Sequence, residues 1–192
     1  MELALPILEK VFNKTLRLYD YKLSNAQSEA LVMASRFFDN FVKSILLDNC
    51  GIEDKKFAKI INSLNELSDF KSIIYRNNQF EMESARAVMN LLYKKMPFHL
   101  DELVIVNCRI SYETSEYLID RLIDRSYLRH LALVNANLCE RSMSGLCEFL
   151  NKNRFIQEID LSWNRLEPNT WMQFLRLLKD NRRLRSVNLS WN

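Results

Sequence analysis

The residue types that most often perform chemistry in proteins are scarce in this chain and widely separated. Four cysteines and two histidines are present, at Cys50, Cys108, Cys139, Cys147, His99 and His130. A metal site needs closely spaced ligands and a nucleophilic cysteine needs a nearby histidine, and the sequence has neither pattern. Carboxylate pairs such as Glu113 and Glu116 fall in helical stretches, where they usually face solvent. We therefore predict no enzymatic activity, no metal and no cofactor.

The elements that would have to position any functional side chain are set by an internal repeat. Its pattern is L-x-x-L-x-L-x-x-N/C-x-L, and its copies begin 28, 30, 28, 28 and 28 residues apart. The first residues of the copies are Val42, Phe70, Leu100, Leu128, Ile156 and Leu184, with a degenerate copy near Asn13. A fixed period of this length predicts stacked supersecondary units, and it favours a surface for contact over a pocket for chemistry.

Each copy predicts one strand followed by one helix. Alternating apolar residues, such as Leu131 and Leu133, indicate a strand with one face inward. Apolar residues recur eight and twelve positions after the last residue of the pattern, as in Leu118 and Leu122, and this spacing places them on one helix face. The Asn or Cys position closes the strand, where an amide can satisfy backbone groups. Ala136 cannot do so, and we expect that turn to be satisfied in another way.

The pattern resembles the leucine-rich repeat, and its length resembles the ribonuclease-inhibitor class. The resemblance covers residues 13–192 and implies an α/β solenoid, a horseshoe with a concave parallel sheet and convex helices. We predict that residues 1–12 form an amphipathic capping helix and that residues 13–192 form about six to seven repeats. The last copy is truncated at Asn192, and we expect the sequence to be part of a longer chain, the alternative being a partner that completes the end.

Cysteine placement and hydropathy favour a reduced cytoplasmic protein. Cys50 and Cys108 lie two repeats apart, so stacked strands would separate them by roughly 10 Å, which exceeds the ~7 Å limit for a disulfide. We predict four free thiols. The sequence has no apolar run long enough to span a membrane and no basic, apolar signal peptide. A net charge of +3 does not by itself indicate nucleic-acid binding.

The strand positions predicted to point away from the core suggest a partner-binding groove on the concave face. They combine apolar residues, a row of asparagines and two tryptophans. The predicted groove residues are Leu46, Ile74, Arg76, Val104, Val106, Val134, Asn49, Asn77, Asn107, Asn135, Trp163 and Trp191. Aromatic anchors with a polar surround are typical of interfaces. The alternative interpretation is that β-branched residues simply suit strands, the asparagines form turns and each Trp packs over its neighbour.

The first exposed column of the predicted strands is mostly basic and follows one rim of the concave face. It consists of Lys14, Lys43, Lys71, Asp101, Arg129, Gln157 and Arg185. This predominantly basic row could attract an acidic partner, or it could be a solvated charge row. His130 lies beside Arg129, and we assign it no catalytic role.

We predict a non-catalytic scaffold that binds one or more protein partners within a multi-subunit complex. Nucleic acid, membrane and small-molecule substrates are not expected. Proteins with similar L-S-W-N repeats include axonemal and ciliary components, so the resemblance implies a cytosolic or cytoskeletal assembly, possible locations being the cytoskeleton and the cilium. The alternative is a regulator of a small GTPase, similar to the leucine-rich repeat activator of the nuclear transport GTPase. Inhibition of a basic ribonuclease is disfavoured by the basic row. The convex face is a second candidate for partner binding.

Overall fold

The computed structural model describes residues 9–39, 41–93, 99–108, 110–125 and 127–192, without the side chains of residues 124, 125, 171 and 180. Within these ranges the strands are β1 (Val11–Phe12), β2 (Thr15–Tyr19), β3 (Ser44–Asp48), β4 (Ser72–Arg76), β5 (Glu102–Val106), β6 (His130–Val134), β7 (Glu158–Asp160) and β8 (Ser186–Asn188). The α-helices are α1 (Asn25–Ala34), α2 (Asp54–Ser63), α3 (Met82–Leu92), α4 (Tyr112–Arg125), α5 (Glu140–Lys152) and α6 (Pro168–Asp180). Short 3₁₀ turns, Ser35–Phe37 and Leu64–Glu66, follow α1 and α2.

The eight strands form one open sheet whose order follows the chain. β1 is antiparallel to β2, and every later pair is parallel. Equivalent positions of successive repeats are paired, as in Ile73 with Leu103 and Leu103 with Leu131. The predicted α/β class and the stacking of strand–helix units are therefore confirmed, because the register follows the 28- and 30-residue spacings of the sequence.

The core lies between one face of this sheet and the helices. Alternate strand residues, such as Leu103 and Ile105, are fully buried together with apolar helix residues. Tyr75 stacks on Phe57 with ring centroids 3.8 Å apart, and its hydroxyl donates to the Gln79 carbonyl oxygen at 3.0 Å. The phenol is buried without leaving its polar atom unpaired, as burial of a hydroxyl requires.

The helices approach each other closely at Gly145 in α5. A Cβ built at this position would lie 2.7 Å from Cγ2 of Ile119 in α4. Real Cβ contacts are almost never that short, and the branched side chain of Ile119 has little rotameric freedom in a helix. Glycine therefore sets the spacing between α4 and α5.

Polar side chains join successive repeats at the beginnings of the helices. The Asp54 carboxylate accepts hydrogen bonds from the backbone N–H groups of Glu81 at 2.8 Å and Ser84 at 3.0 Å. Glu81 in turn accepts from the Thr114 hydroxyl at 2.9 Å. Since the first turn of a helix has unpaired N–H groups and a partial positive charge, each carboxylate stabilises the helix of the next repeat.

An asparagine of one repeat also satisfies the turn of the repeat before it. The Asn164 Oδ1 accepts from Ala136 N at 2.8 Å, and its Nδ2 donates to the Leu133 carbonyl at 2.7 Å. Asn78 does the same for Cys50 N, at 2.9 Å. The turn at Ala136 has no side-chain amide of its own, and Asn164 of the next repeat satisfies its backbone groups. The sequence predicted that another group would do so but did not identify it.

The predicted capping helix over residues 1–12 falls largely on residues 1–8, which lie outside the described residues. Its described end is not helical: Val11 and Phe12 form β1, which pairs with Leu16 and Thr15. Asn13 and Lys14 form the connecting turn, with φ values of 49° and 61°. Two successive residues with positive φ produce a tight hairpin turn, and they hold Val11 and Phe12 against the edge of β2.

In the part of the chain that the structure describes, none of the helices has the length and apolar composition needed to cross a bilayer.

Candidate functional site

The sheet face opposite the helices, called here the open face, presents three columns of side chains in register. The first column is Thr15, Ser44, Ser72, Glu102, His130, Glu158 and Ser186. The second is Arg17, Leu46, Ile74, Val104, Ala132, Asp160 and Asn188. The third is Tyr19, Asp48, Arg76, Val106 and Val134. Because parallel strands lie about 4.8 Å apart, residues separated by 28 or 30 positions in the chain become direct neighbours on this face.

The predicted apolar strip is present in register but is less exposed than predicted. Val104 is 5% exposed and Ala132 is 4% exposed, although neither belongs to the core between sheet and helices. Leu46, Ile74, Val106 and Val134 are half-buried. Short side chains on adjacent parallel strands cover one another, so the sheet itself shields the strip and only its outer parts are available to a partner.

The asparagine row forms the turns that end the strands. Asn49, Asn77, Asn107 and Asn135 all have left-handed backbones, with φ between 49° and 53°. Asparagine adopts this conformation more readily than other non-glycine residues, so the turn explains its recurrence. The side chains remain exposed and partly bonded to one another, as in Asn135 Nδ2 to Asn107 Oδ1 at 3.1 Å.

The two tryptophans occupy the same left-handed position in the last two repeats. Trp163 and Trp191 have φ values of 63° and 60°. Their rings stack with centroids 4.9 Å apart and an interplanar angle of 18°. The packing of each Trp over its neighbour, one of the two interpretations of the sequence, is therefore observed, yet Trp163 is 51% exposed and Trp191 is 69% exposed.

A polar cluster in the first column was missed by sequence analysis. His130 Nδ1 lies 2.8 Å from Glu102 Oε1, and the Ser72 hydroxyl donates to the other oxygen of Glu102. The hydrogen bond with Glu102 raises the pKa of His130, and the same bond holds the pKa of Glu102 below its usual range. The sequence could have identified this column, because each of its members directly precedes an inward-facing strand residue, as Glu102 precedes Leu103.

The basic column that the sequence assigned to the strands lies one residue before each of β2 to β8, and three of its five basic residues are paired within the chain. Both Lys43 and Lys71 contact the Asp69 carboxylate, the latter at 3.5 Å. The hydrogen bond from Lys43 lowers the pKa of Asp69. Arg129 lies 4.0 Å from Asp101. These aspartates reduce the positive potential that the sequence alone suggested for this rim.

The cysteines are free thiols. Burial raises the pKa of Cys50 and of Cys108 to about 11, so both remain protonated at neutral pH. The Cys50 thiol donates to the Leu18 carbonyl oxygen at 3.4 Å, which is a structural role. Among the described residues, no group of three or more histidine, cysteine, aspartate or glutamate side chains is placed to hold a metal ion.

The helical side of the molecule has a groove of about 480 Å³ between α1 and α2. It is lined by Val32, Met33, Lys56 and Lys59, among others, and lies on the opposite side of the sheet from the open face. Its charged groups include the Lys56–Glu53 ion pair at 3.7 Å. Groups of both signs are therefore mixed there, and the groove does not select the charge of a ligand.

Comparison with known proteins gives distant relatives. No protein-family model matches the chain. It is 27% identical to the bovine (Bos taurus) NACHT, LRR and PYD domains-containing protein 5 over 106 residues, which are 55% of this chain and 10% of that protein. It is 24% identical to the mouse (Mus musculus) protein of the same name over 140 residues, which are 72% of this chain and 11% of that protein. The chain thus spans about a tenth of the length of these curated relatives.

Among solved structures, the chain is similar to leiomodin-1 actin-binding site 2. The TM-score is 0.48 and the identity 15%, with 94% of this chain and 87% of that chain covered. The sequence similarity to proteins whose name includes leucine-rich repeats agrees with the internal repeat and the open, mostly parallel sheet. With identities of 27% and 24%, the chain is weakly similar to leucine-rich repeat proteins.

Proposed function

We propose that this chain is a leucine-rich repeat module of the ribonuclease-inhibitor-like class that binds a protein partner through the open face and performs no catalysis. The observation behind this proposal is the open face itself, on which seven parallel strands align three columns of side chains. Its repeat length and its weak similarity to leucine-rich repeat proteins support the same role.

The dimensions of the open face suit a polypeptide. Six steps of about 4.8 Å from β2 to β8 give a length of roughly 29 Å. An extended chain advances about 3.3 Å per residue, so roughly nine residues of a partner can lie across the strands. Half-buried apolar residues in the second and third columns lie between the polar first column and the asparagine turns, an arrangement that resembles the composition of protein interfaces.

The proposal includes membership of a larger cytosolic or cytoskeletal assembly, which rests on the resemblance of the L-S-W-N repeats. Regulation of a small GTPase, the alternative from the sequence, gains no support from any described residue. We therefore keep one function, protein binding, and test which face performs it.

The test is affinity capture from native cells with two matched variants of the full chain. Val134→Asp places a charge in the third column of the open face, whereas Met172→Asp makes the same kind of change at an exposed position on α6. We expect a stoichiometric partner that is retained by wild type and Met172→Asp and lost by Val134→Asp. Circular dichroism and thermal melting verify that both variants are folded.

The proposal is wrong if folded Val134→Asp captures the same partners as wild type. Loss of the partner with Met172→Asp alone would instead assign binding to the helical side. Purification of the wild-type chain without any partner would also contradict the proposal.

A further inference from the structure

Tryptophan occupies a backbone position at which four other repeats have asparagine. Trp163 and Trp191 adopt φ values of 63° and 60°, a region that a bulky side chain disfavours and that asparagine tolerates. The corresponding residues in the earlier repeats are Asn49, Asn77, Asn107 and Asn135. A disfavoured residue at two successive repeats indicates that the indole side chain itself is required.

Mutual stacking uses only part of the Trp163 indole. The rings are nearly parallel, so each packs one face against the other, and Trp163 is still 51% exposed with Trp191 stacked on it. Tryptophan is enriched among residues that dominate interface energetics. Its ring face also attracts cations within about 6 Å of the centroid. The pair thus offers an apolar, electron-rich surface at the carboxyl end of β7 and β8.

The strand that leads to Trp163 adds negative charge to this surface. Glu158 and Asp160 lie two residues apart on the open face of β7. Asp160 accepts hydrogen bonds from neutral groups, the Ser162 hydroxyl at 2.7 Å and Asn188 Nδ2 at 2.9 Å. Within the described part of the chain, neither carboxylate forms an ion pair. Both carboxylates therefore keep their charge, although the two oxygens of Asp160 already accept hydrogen bonds within the chain, including one from Ser162 N at 2.9 Å.

The neighbouring cations neutralise these carboxylates only in part. Arg185, on the segment that leads into β8, is exposed and makes no ion pair with either of them among the described residues. His130, on β6, is hydrogen-bonded to Glu102 and is also attracted electrostatically by Glu158 and Asp160. The three carboxylates outnumber this one histidine, so the local charge of the open face at β7 is negative, opposite in sign to the rim that the sequence emphasised.

Charge and aromatic character together select one kind of occupant. A guanidinium group pairs with carboxylates through two parallel hydrogen bonds and stacks on aromatic faces. We propose that Trp163, Trp191, Glu158 and Asp160 form a docking site for an arginine-containing basic segment of a protein partner. This inference rests on the proposed function, since it specifies the partner chemistry at one end of the same open face.

The test uses a fluorescently labelled, end-blocked tetra-arginine peptide and the full chain. Fluorescence anisotropy is measured at low and at physiological ionic strength, with a tetra-glutamate peptide as the charge control. We expect saturable binding of tetra-arginine that weakens with salt and no binding of tetra-glutamate. Trp163→Asn keeps a residue suited to the left-handed turn, and Glu158→Gln removes one charge. Each should weaken binding by about ten-fold or more.

The matched control is Glu148→Gln, a substitution of the same type at an exposed position of α5. It should bind tetra-arginine like the wild type. The inference is overturned if tetra-arginine does not bind, if tetra-glutamate binds equally well, or if Glu148→Gln weakens binding as much as Glu158→Gln. If the peptide-binding experiments fail but Val134→Asp still abolishes partner capture, only the arginine docking site is refuted and the proposed function is not. Absence of any captured partner is evidence against the proposed function and is measured independently.

Discussion

Asn164→Ala should reveal how strongly one repeat depends on the next. The Asn164 side chain satisfies two buried groups of the preceding repeat, Ala136 N at 2.8 Å and the Leu133 carbonyl at 2.7 Å. It also donates to the Leu161 carbonyl at 2.9 Å within its own repeat. Alanine would remove this partner from Ala136 N and the Leu133 carbonyl, whereas the Leu161 carbonyl would keep its hydrogen bond from Asn192 Nδ2 at 2.9 Å.

The expected loss follows from the desolvation of these groups. Leaving a buried donor or acceptor unpaired costs about 1–3 kcal/mol, and the two strongest bonds of Asn164 join different repeats. For the two groups of the preceding repeat the sum is about 2–6 kcal/mol, and we expect a loss in its lower half, roughly 2–4 kcal/mol. That is a large fraction of the roughly 5–15 kcal/mol by which a domain is stable.

The assay is urea denaturation followed by circular dichroism at equilibrium. Asn151→Ala, at an exposed position of α5, is the matched control and should change the free energy of unfolding by less than about 0.5 kcal/mol. Asn164→Cys should fall between the two, since Cys50 and Cys108 hold the same position in other repeats and keep a weak donor. Equal stability of Asn164→Ala and Asn151→Ala would refute the reasoning.

Two further predictions concern the helices and the open face. Gly145→Ala should lower the free energy of unfolding by about 1–3 kcal/mol through the contact with Ile119, despite a gain in helix propensity of up to about 1 kcal/mol, and an unchanged urea midpoint would contradict this. His130 has a raised pKa through Glu102, so its stabilising contribution is fully present below the unfolded-state pKa of about 6.5 and is lost as pH rises through the folded-state pKa. Urea denaturation at several pH values in this range should show the free energy of unfolding of the wild type falling as pH rises, with a smaller fall for His130→Gln. If the free energy of both proteins changed equally with pH, this prediction would be wrong.

Much of the fold was predictable from the sequence because each repeat encodes its own strand and helix. Leu103 and Ile105 alternate as a strand must, and Leu118 and Leu122 share a helix face. Since equivalent residues recur at nearly constant spacing, the register of neighbouring strands follows as well. These are local patterns, and the repetition of the unit makes them sufficient.

The N-terminal segment shows where local pattern was not enough. Apolar residues up to Phe12 suggested one amphipathic helix, but the turn at Asn13 and Lys14 places Val11 and Phe12 beside β2. An unpaired strand edge offers backbone hydrogen bonds that a periodicity of apolar residues does not reveal.

The sequence likewise predicted part of the candidate site and missed the rest. The sequence identified the second and third columns of the open face and the two tryptophans, and it suggested that Asn residues close the turns, but it missed the first column. It overestimated the exposure of Val104, which neighbouring strands cover. It also weighted the basic rim, where Lys43 is paired with Asp69, above the acidic residues of β7.

The sequence by itself thus determined the repeat, the strand–helix order and the residues that share the second and third columns. Only the tertiary structure decided which side chains neutralise or satisfy one another: Asn164 with the turn of Ala136, and His130 with Glu102. The physical reason is distance. Stacking brings residues 28 positions apart within hydrogen-bonding range, and the resulting pairs depend on side-chain geometry across two repeats rather than on the pattern within one.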